Sequence, residues 1–260
     1  MAEKLKKSLL YTYGIGDLCF TMLCCMEVYF FTAFLTDYAQ FSLGTCNIIV
    51  YATGIGDIVF AFVAGVILQR VSFKFGGQFR SWLVITPPLV VVLFLFQFSK
   101  IGGEALAATL IILGFLSSHL FWNVGYGAIG GLLGSITQDP DERTILSASR
   151  AQGQSAGNLL FSPASKMVPF FTASSLGLVY GFSVSILILG ALMIAGYFYL
   201  YKMSAASKSA DSGVAPAETA APDKSSVGEM VGLVFKNPVN DYFPHKIPQN
   251  HKKSADELFR

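Results

Sequence analysis

Charge is scarce in this sequence. Of 260 residues, Lys and Arg number 18 and Asp and Glu 16, or 13% charged, where about a quarter is usual for a soluble domain. The net charge of +2 is too small to argue for a nucleic-acid partner. Catalytic signatures are missing as well. There is no HExxH, no acidic metal cluster and no nucleophile beside a base, so neither an enzyme nor a metal or organic cofactor is expected. The four cysteines, Cys19, Cys24, Cys25 and Cys46, lie in or beside apolar runs without metal-ligand spacing, which reads as packing. No cleavable leader is evident, because the first apolar run is long, carries acids and lacks a small-residue cleavage site.

What the chain has in abundance is apolar surface: 53% of residues are hydrophobic and the mean hydropathy is +0.56. The apolar residues gather into runs of twenty or so, the length a helix needs to cross roughly 30 Å of hydrocarbon. Six spans are expected, at 8–35, 46–69, 82–98, 105–134, 151–174 and 177–201. Pro87 and Pro88 predict a kink in the third span, since each removes a backbone donor. Residues 137–144, TQDPDERT, read as a polar loop. From residue 202 the chain turns polar and rich in Ala, Ser, Asp and Lys. The expected division is therefore a transmembrane bundle over 1–201 and a disordered cytoplasmic linker and tail over 202–260. The fold class is an all-α membrane protein, a bundle of six transmembrane helices in a lipid bilayer.

Orientation follows from the basic residues. Lys4, Lys6, Lys7, Arg70, Lys74, Arg80, Arg143 and Arg150 fall on one side of the six-span arrangement, and the other side has Lys100 alone. The positive-inside rule then puts both termini in the cytoplasm of a multi-pass protein of the plasma (inner) membrane. On that face the hairpin residues Arg70, Lys74 and Arg80 are expected to meet Asp139, Asp141, Glu142 and Arg143 as a cytoplasmic gate.

The polar residues inside the spans carry the functional expectations. Asp57 interrupts CNIIVYATGIGDIVFAFVAGVILQ, and a lone carboxylate there costs about 2.5–3.5 kcal/mol to insert. That cost points to cation or proton coupling, or to a structural cation. Asp17 sits roughly 13 Å into its span and could contact a solute or bond another helix. On the fourth span His119, Asn123 and Tyr126 share one stripe at i, i+4 and i+7. Asn158 belongs to a similar stripe on the fifth. Such stripes line a water-accessible cavity or glue helices together. Glu27 and Lys166, an acid and a base both inside spans, reach similar depths at 1.5 Å per residue, so either they form an intramembrane ion pair or each reaches outer water separately. The sequence YGIGDLCF at 13–20 is echoed by TGIGDIVF at 53–60; the glycines suit close helix contact or local unwinding beside the acids.

Several of these residues together resemble the N-terminal half of the glycoside–pentoside–hexuronide:cation symporters, the melibiose-permease-like family of the major facilitators. The matching pieces are YGIGD at 13–17, TD at 36–37, Asp57 with Gly65, GGQFRSW at 76–82, DPDERT at 139–144, Arg150, and VFKNP at 234–238. The resemblance implies one half of a major-facilitator fold, with the solute held between two six-helix halves. It implies symport of a glycoside or other small polar solute, with Arg150 contacting the solute or closing the cytoplasmic gate. Where the family carries further acids this chain has Ala61, Tyr126 and Thr21, so Asp57 is the one cation-site carboxylate carried over. Thr21 and Tyr126 join the solute-contact candidates by position. A single carboxylate is a poor sodium site, since hard cations prefer several oxygen ligands, and H+ gains over Na+ as the coupling ion. The resemblance reaches only the first half of such a transporter, so a second six-helix half is an expected partner. The alternative function is a six-helix membrane protein that binds or scaffolds without transport.

Overall fold

The structure, a computed structural model, describes residues 4–173 and 178–205. Within them the chain forms seven helices: α1 Lys7–Tyr38, α2 Leu43–Arg70, α3 Gly77–Gln97, α4 Glu104–Ile136, α5 Pro140–Ala164, the short α6 Met167–Thr172 and α7 Leu178–Ser204. No strand occurs among the described residues. The protein is an all-α membrane protein. Five helices among the described residues, α1, α2, α3, α4 and α7, are long and apolar enough to cross a bilayer.

The expected fifth span is the exception. α5 is not among those five, because Arg143, Arg150, Gln152, Gln154 and Asn158 fall within it. It also starts earlier than the sequence reading placed it. Residues 140–144 are not loop but the first turns of α5. Asp139 caps the helix, its carboxylate accepting from the Asp141 N–H at 2.9 Å, and Pro140 takes the first helical position, where its missing donor costs nothing. The helix ends near Pro163, and α6 resumes after Ser165 and Lys166. α3 continues through Pro87 and Pro88, and α7 runs to Ser204, past the expected boundary at 201. The tail from residue 206 lies outside the described residues, as does the connector at 174–177.

α4 packs against both α2 and α3, α3 against α7, and α1 against α7 and α5. The first and fifth helices meet backbone to backbone. A Cβ placed on Gly153 would stand 2.0 Å from the Gly14 carbonyl oxygen, and one on Gly157 would stand 2.7 Å from that of Leu18. At this contact α1 breaks for one turn at Tyr13 and Gly14. Ser149 of α5 repairs the break: its Oγ accepts from the Gly14 N–H at 2.9 Å and donates to the Tyr11 carbonyl at 3.1 Å. Small residues that let backbones touch are the usual means of holding membrane helices together, where lipid offers no hydrophobic drive.

At the far end of the bundle two connectors are tied together. The Glu104 carboxylate accepts from the N–H and hydroxyl of Ser42, at 3.0 and 2.7 Å, and the Lys100 ammonium donates to the Ala39 carbonyl. Between the ends, a run of rings including Phe34, Phe94, Phe98 and Phe182 fills the core. α2 is the outlying helix, presenting Ile48, Tyr51, Ile55, Ile58 and Val59 outward, as a helix exposed to an apolar medium does.

Candidate functional site

Two polar clusters sit in the apolar core, both anchored on α1. The first is built around Asp17, one turn beyond the break at Gly14. Asp17 is fully buried. Arg150 of α5 grips it in a forked contact, with Nε at 3.1 and 3.0 Å from the two carboxylate oxygens and a terminal nitrogen at 2.9 Å from Oδ1. Such a bidentate pair is both strong and geometrically specific. Gln154, one turn along α5, donates to Asp17 Oδ1 at 3.4 Å and to the Tyr126 hydroxyl at 3.1 Å. The Arg150 guanidinium lies 5.1 Å over the Tyr126 ring. Tyr13 closes the floor by donating to the Ile129 carbonyl at 2.7 Å. Asp17, Tyr126 and Arg150 thus come together from three helices. Gln154 was not anticipated, although its i+4 spacing from Arg150 places both on one face.

The second cluster lies ten residues further along α1, about 15 Å by helical rise. Glu27 does not pair with Lys166. Its Oε1 is 3.1 Å from His119 Nε2, and its Oε2 accepts from Gln97 Nε2 at 2.8 Å, whereas Lys166 is exposed at the break between α5 and α6. Depth alone does not select the partner. His119 lies 17 residues before the end of α4 at Ile136, about 26 Å along the axis, and so reaches the level of Glu27 as well as Lys166 does. The helix ends decide it, because Pro163 stops α5 and turns Lys166 outward.

Asp57 adjoins this second cluster. Asn123 Nδ2 stands 3.5 Å from Asp57 Oδ1 and donates to the His119 carbonyl at 2.9 Å. The α4 stripe therefore divides: His119 faces Glu27, Asn123 faces Asp57, and Tyr126 joins Asp17 and Arg150. The remaining candidates sit at the margin of the clusters. Asn158 is exposed, accepts from the Cys25 thiol at 3.2 Å and donates to the Gln154 carbonyl at 3.0 Å. Thr21 packs against Gly157 in the seam between α1 and α5.

The residues expected to form a gate between the hairpin and the 137–144 segment turn to other partners. Glu142 is buried, accepting from the Leu5 N–H at 2.9 Å and the Thr137 hydroxyl at 2.5 Å, so it clasps the start of the chain. Arg143 donates to the carbonyls of Thr137 and Gly134 and to Gln138 Oε1. Asp139 is spent on its cap. Arg80 is buried, donates to the Tyr201 carbonyl at 2.9 Å and lies 4.2 Å over that ring. Arg70 is exposed at the end of α2. Asp139 is taken by a local backbone donor and Glu142 by the Leu5 N–H and the Thr137 hydroxyl, so neither carboxylate is left to meet the hairpin through these bonds.

A family model described as MFS/sugar transport protein matches residues 12–239 of the chain. No curated protein matches it.

Proposed function

Because the chain belongs to the MFS/sugar transport protein family, a family of membrane transporters, we propose that it is a secondary active transporter moving a sugar or other small polar solute by symport. Its place is with the glycoside–pentoside–hexuronide:cation symporters. The carrying observation is the forked Arg150–Asp17 contact beside Tyr126 and Gln154. A guanidinium with donors left over, an amide and a phenol form the donor–acceptor set that sugar hydroxyls need. Asp17 holds Arg150 in place, and Arg150, Gln154 and Tyr126 contact the solute. With α5 and α6 taken together as one rod, the helices of the described residues correspond to one half of such a transporter, and a second six-helix half completes the path across the bilayer.

Asp57 supplies the coupling charge. With Asn123 as its hydrogen-bonding neighbour among the described residues, it is a single-carboxylate site that suits a proton better than Na+. Both termini face the cytoplasm of the plasma (inner) membrane, as the basic residues dictate.

The test is uptake of a panel of labelled mono- and disaccharides into proteoliposomes holding the full chain, with any second half, under an imposed pH or Na+ gradient. The expected result is gradient-driven accumulation that Asp57→Asn abolishes and Arg150→Lys reduces at least tenfold. Accumulation unaltered by Asp57→Asn would remove Asp57 from coupling. Binding of sugar without accumulation under either gradient would favour the scaffold reading.

A further inference from the structure

The contacts of His119 specify where its protons must sit. Its Nδ1 lies 3.1 Å from the Phe115 carbonyl, one turn back along α4. A carbonyl can only accept, so that contact requires a hydrogen on Nδ1. Its Nε2 lies 3.1 Å from Glu27 Oε1. A carboxylate likewise only accepts, and the neutral ring has a single hydrogen, already committed to Nδ1. The second contact therefore needs a second proton. The other Glu27 oxygen takes a donor too, Gln97 Nε2 at 2.8 Å, so both carboxylate oxygens act as acceptors and the second proton belongs to the ring. Packing fixes the imidazole plane: Phe115 stacks on it with centroids 3.9 Å apart and planes within 2°, and Trp122 lies nearly parallel at 5.9 Å.

We infer that His119 and Glu27 hold one exchangeable proton between them, forming a proton-binding site separate from Asp57. The groups facing the imidazole come from three helices. α1 brings Glu27, with Cys24 beside it. α2 brings Asp57. α3 brings the uncharged Gln97, fully buried, whose own Oε1 finds no hydrogen-bond partner among the described residues. With the proton in place, imidazolium and carboxylate cancel. Without it, the cluster of Glu27 and Asp57 carries one positive charge fewer. The occupancy of the His119 site thereby sets how strongly Asp57 attracts a cation. This role in coupling rests on the transporter reading; the proton itself does not.

Nitrogen NMR of isotope-labelled histidine tests it on the full chain in lipid nanodiscs at neutral pH, with no solute added. The sequence has 3 histidines, so His245→Asn together with His251→Asn leaves His119 as the sole imidazole. The expected spectrum has protons on both ring nitrogens. In Glu27→Gln, which keeps the shape and removes the charge, the Nε2 proton should be lost and the ring should read as neutral. One bare ring nitrogen in the otherwise native chain would overturn the inference, and so would a doubly protonated ring that persists in Glu27→Gln. The first measurement needs no change at Glu27 and stands if that variant does not fold. Neither depends on uptake, so failure of transport and failure of the proton site are distinguishable.

Discussion

Gly14 and Gly153 touch backbone to backbone. A methyl group on Gly153 would lie 2.0 Å from the Gly14 carbonyl oxygen and 2.7 Å from its carbon, with no flexible side chain able to move aside. The contact joins α1 to α5 just where α1 breaks and where Ser149 bonds the freed backbone groups.

Gly153→Ala should therefore push the two helices apart and lower stability by about 1–3 kcal/mol, the usual cost of overpacking. Gly44→Ala is the control, since a Cβ there meets nothing within 4 Å. Thermal denaturation in detergent checks both. Equal melting temperatures for the two variants would contradict the close approach.

Removing one member of the Asp17–Arg150 pair strands a buried charge. Asp17 is fully buried and the Arg150 side chain is 17% exposed, so Arg150→Gln or Asp17→Asn alone should cost about 3–5 kcal/mol. Asp17→Asn with Arg150→Gln leaves two neutral amides, and the double variant should cost less than the two single losses added. A double-mutant cycle measures the difference. Additive losses would mean that the two groups are separately solvated.

Lys166→Gln should be silent. The side chain is exposed, and surface changes away from special features usually stay within about 0.5 kcal/mol. A large drop in folded yield would revive its pairing with Glu27.

Sidedness can be read from two cysteine substitutions on a cysteine-free background. Lys74→Cys lies in the hairpin after α2, and Gly103→Cys lies in the opposite connector, where an added Cβ meets open space. An impermeant maleimide should label Lys74→Cys in inside-out vesicles only and Gly103→Cys in right-side-out vesicles only. The reverse pattern would place the termini outside.

The sequence made the helices legible wherever apolarity alone decided them. α1, α2, α3, α4 and α7 lie where their runs predict, because lipid leaves the backbone no alternative to internal hydrogen bonding. α5 was misread at its start, since an Asp cap and a first-turn Pro look like loop chemistry until the helix they begin is recognised. Of the two GIGD echoes, the first marks real unwinding, at Gly14. In the second, Gly54 faces open space and a Cβ on Gly56 would meet only the tip of Leu116. The stripe of His119, Asn123 and Tyr126 was visible as a stripe, but its members part: His119 meets Glu27, Asn123 meets Asp57, and Tyr126 meets Gln154 and Arg150. Periodicity gives the face of a helix and says nothing of which neighbour stands opposite. For the same reason Glu27 was matched by depth to the wrong base, and Gln97, uncharged at the end of a span, attracted no notice.

The composition of α5 has a consequence for how the protein is made. Among the described residues it is the one long helix too polar to be counted as a span on its own composition, so the translocon has little reason to release it into lipid. Its glycine face at Gly153 and Gly157 fits only the backbone of α1, and the carboxylate that neutralises Arg150 is there too. α1 leaves the ribosome first and can be seated before Pro140 is synthesised. It then serves as the polar, close-fitting berth that α5 requires, an internal chaperone supplied by the same chain. Glycosylation mapping of nascent chains should find α5 inserted when α1 is intact. It should find α5 left in water when Asp17→Leu and Gly14→Leu together deny it a place to dock.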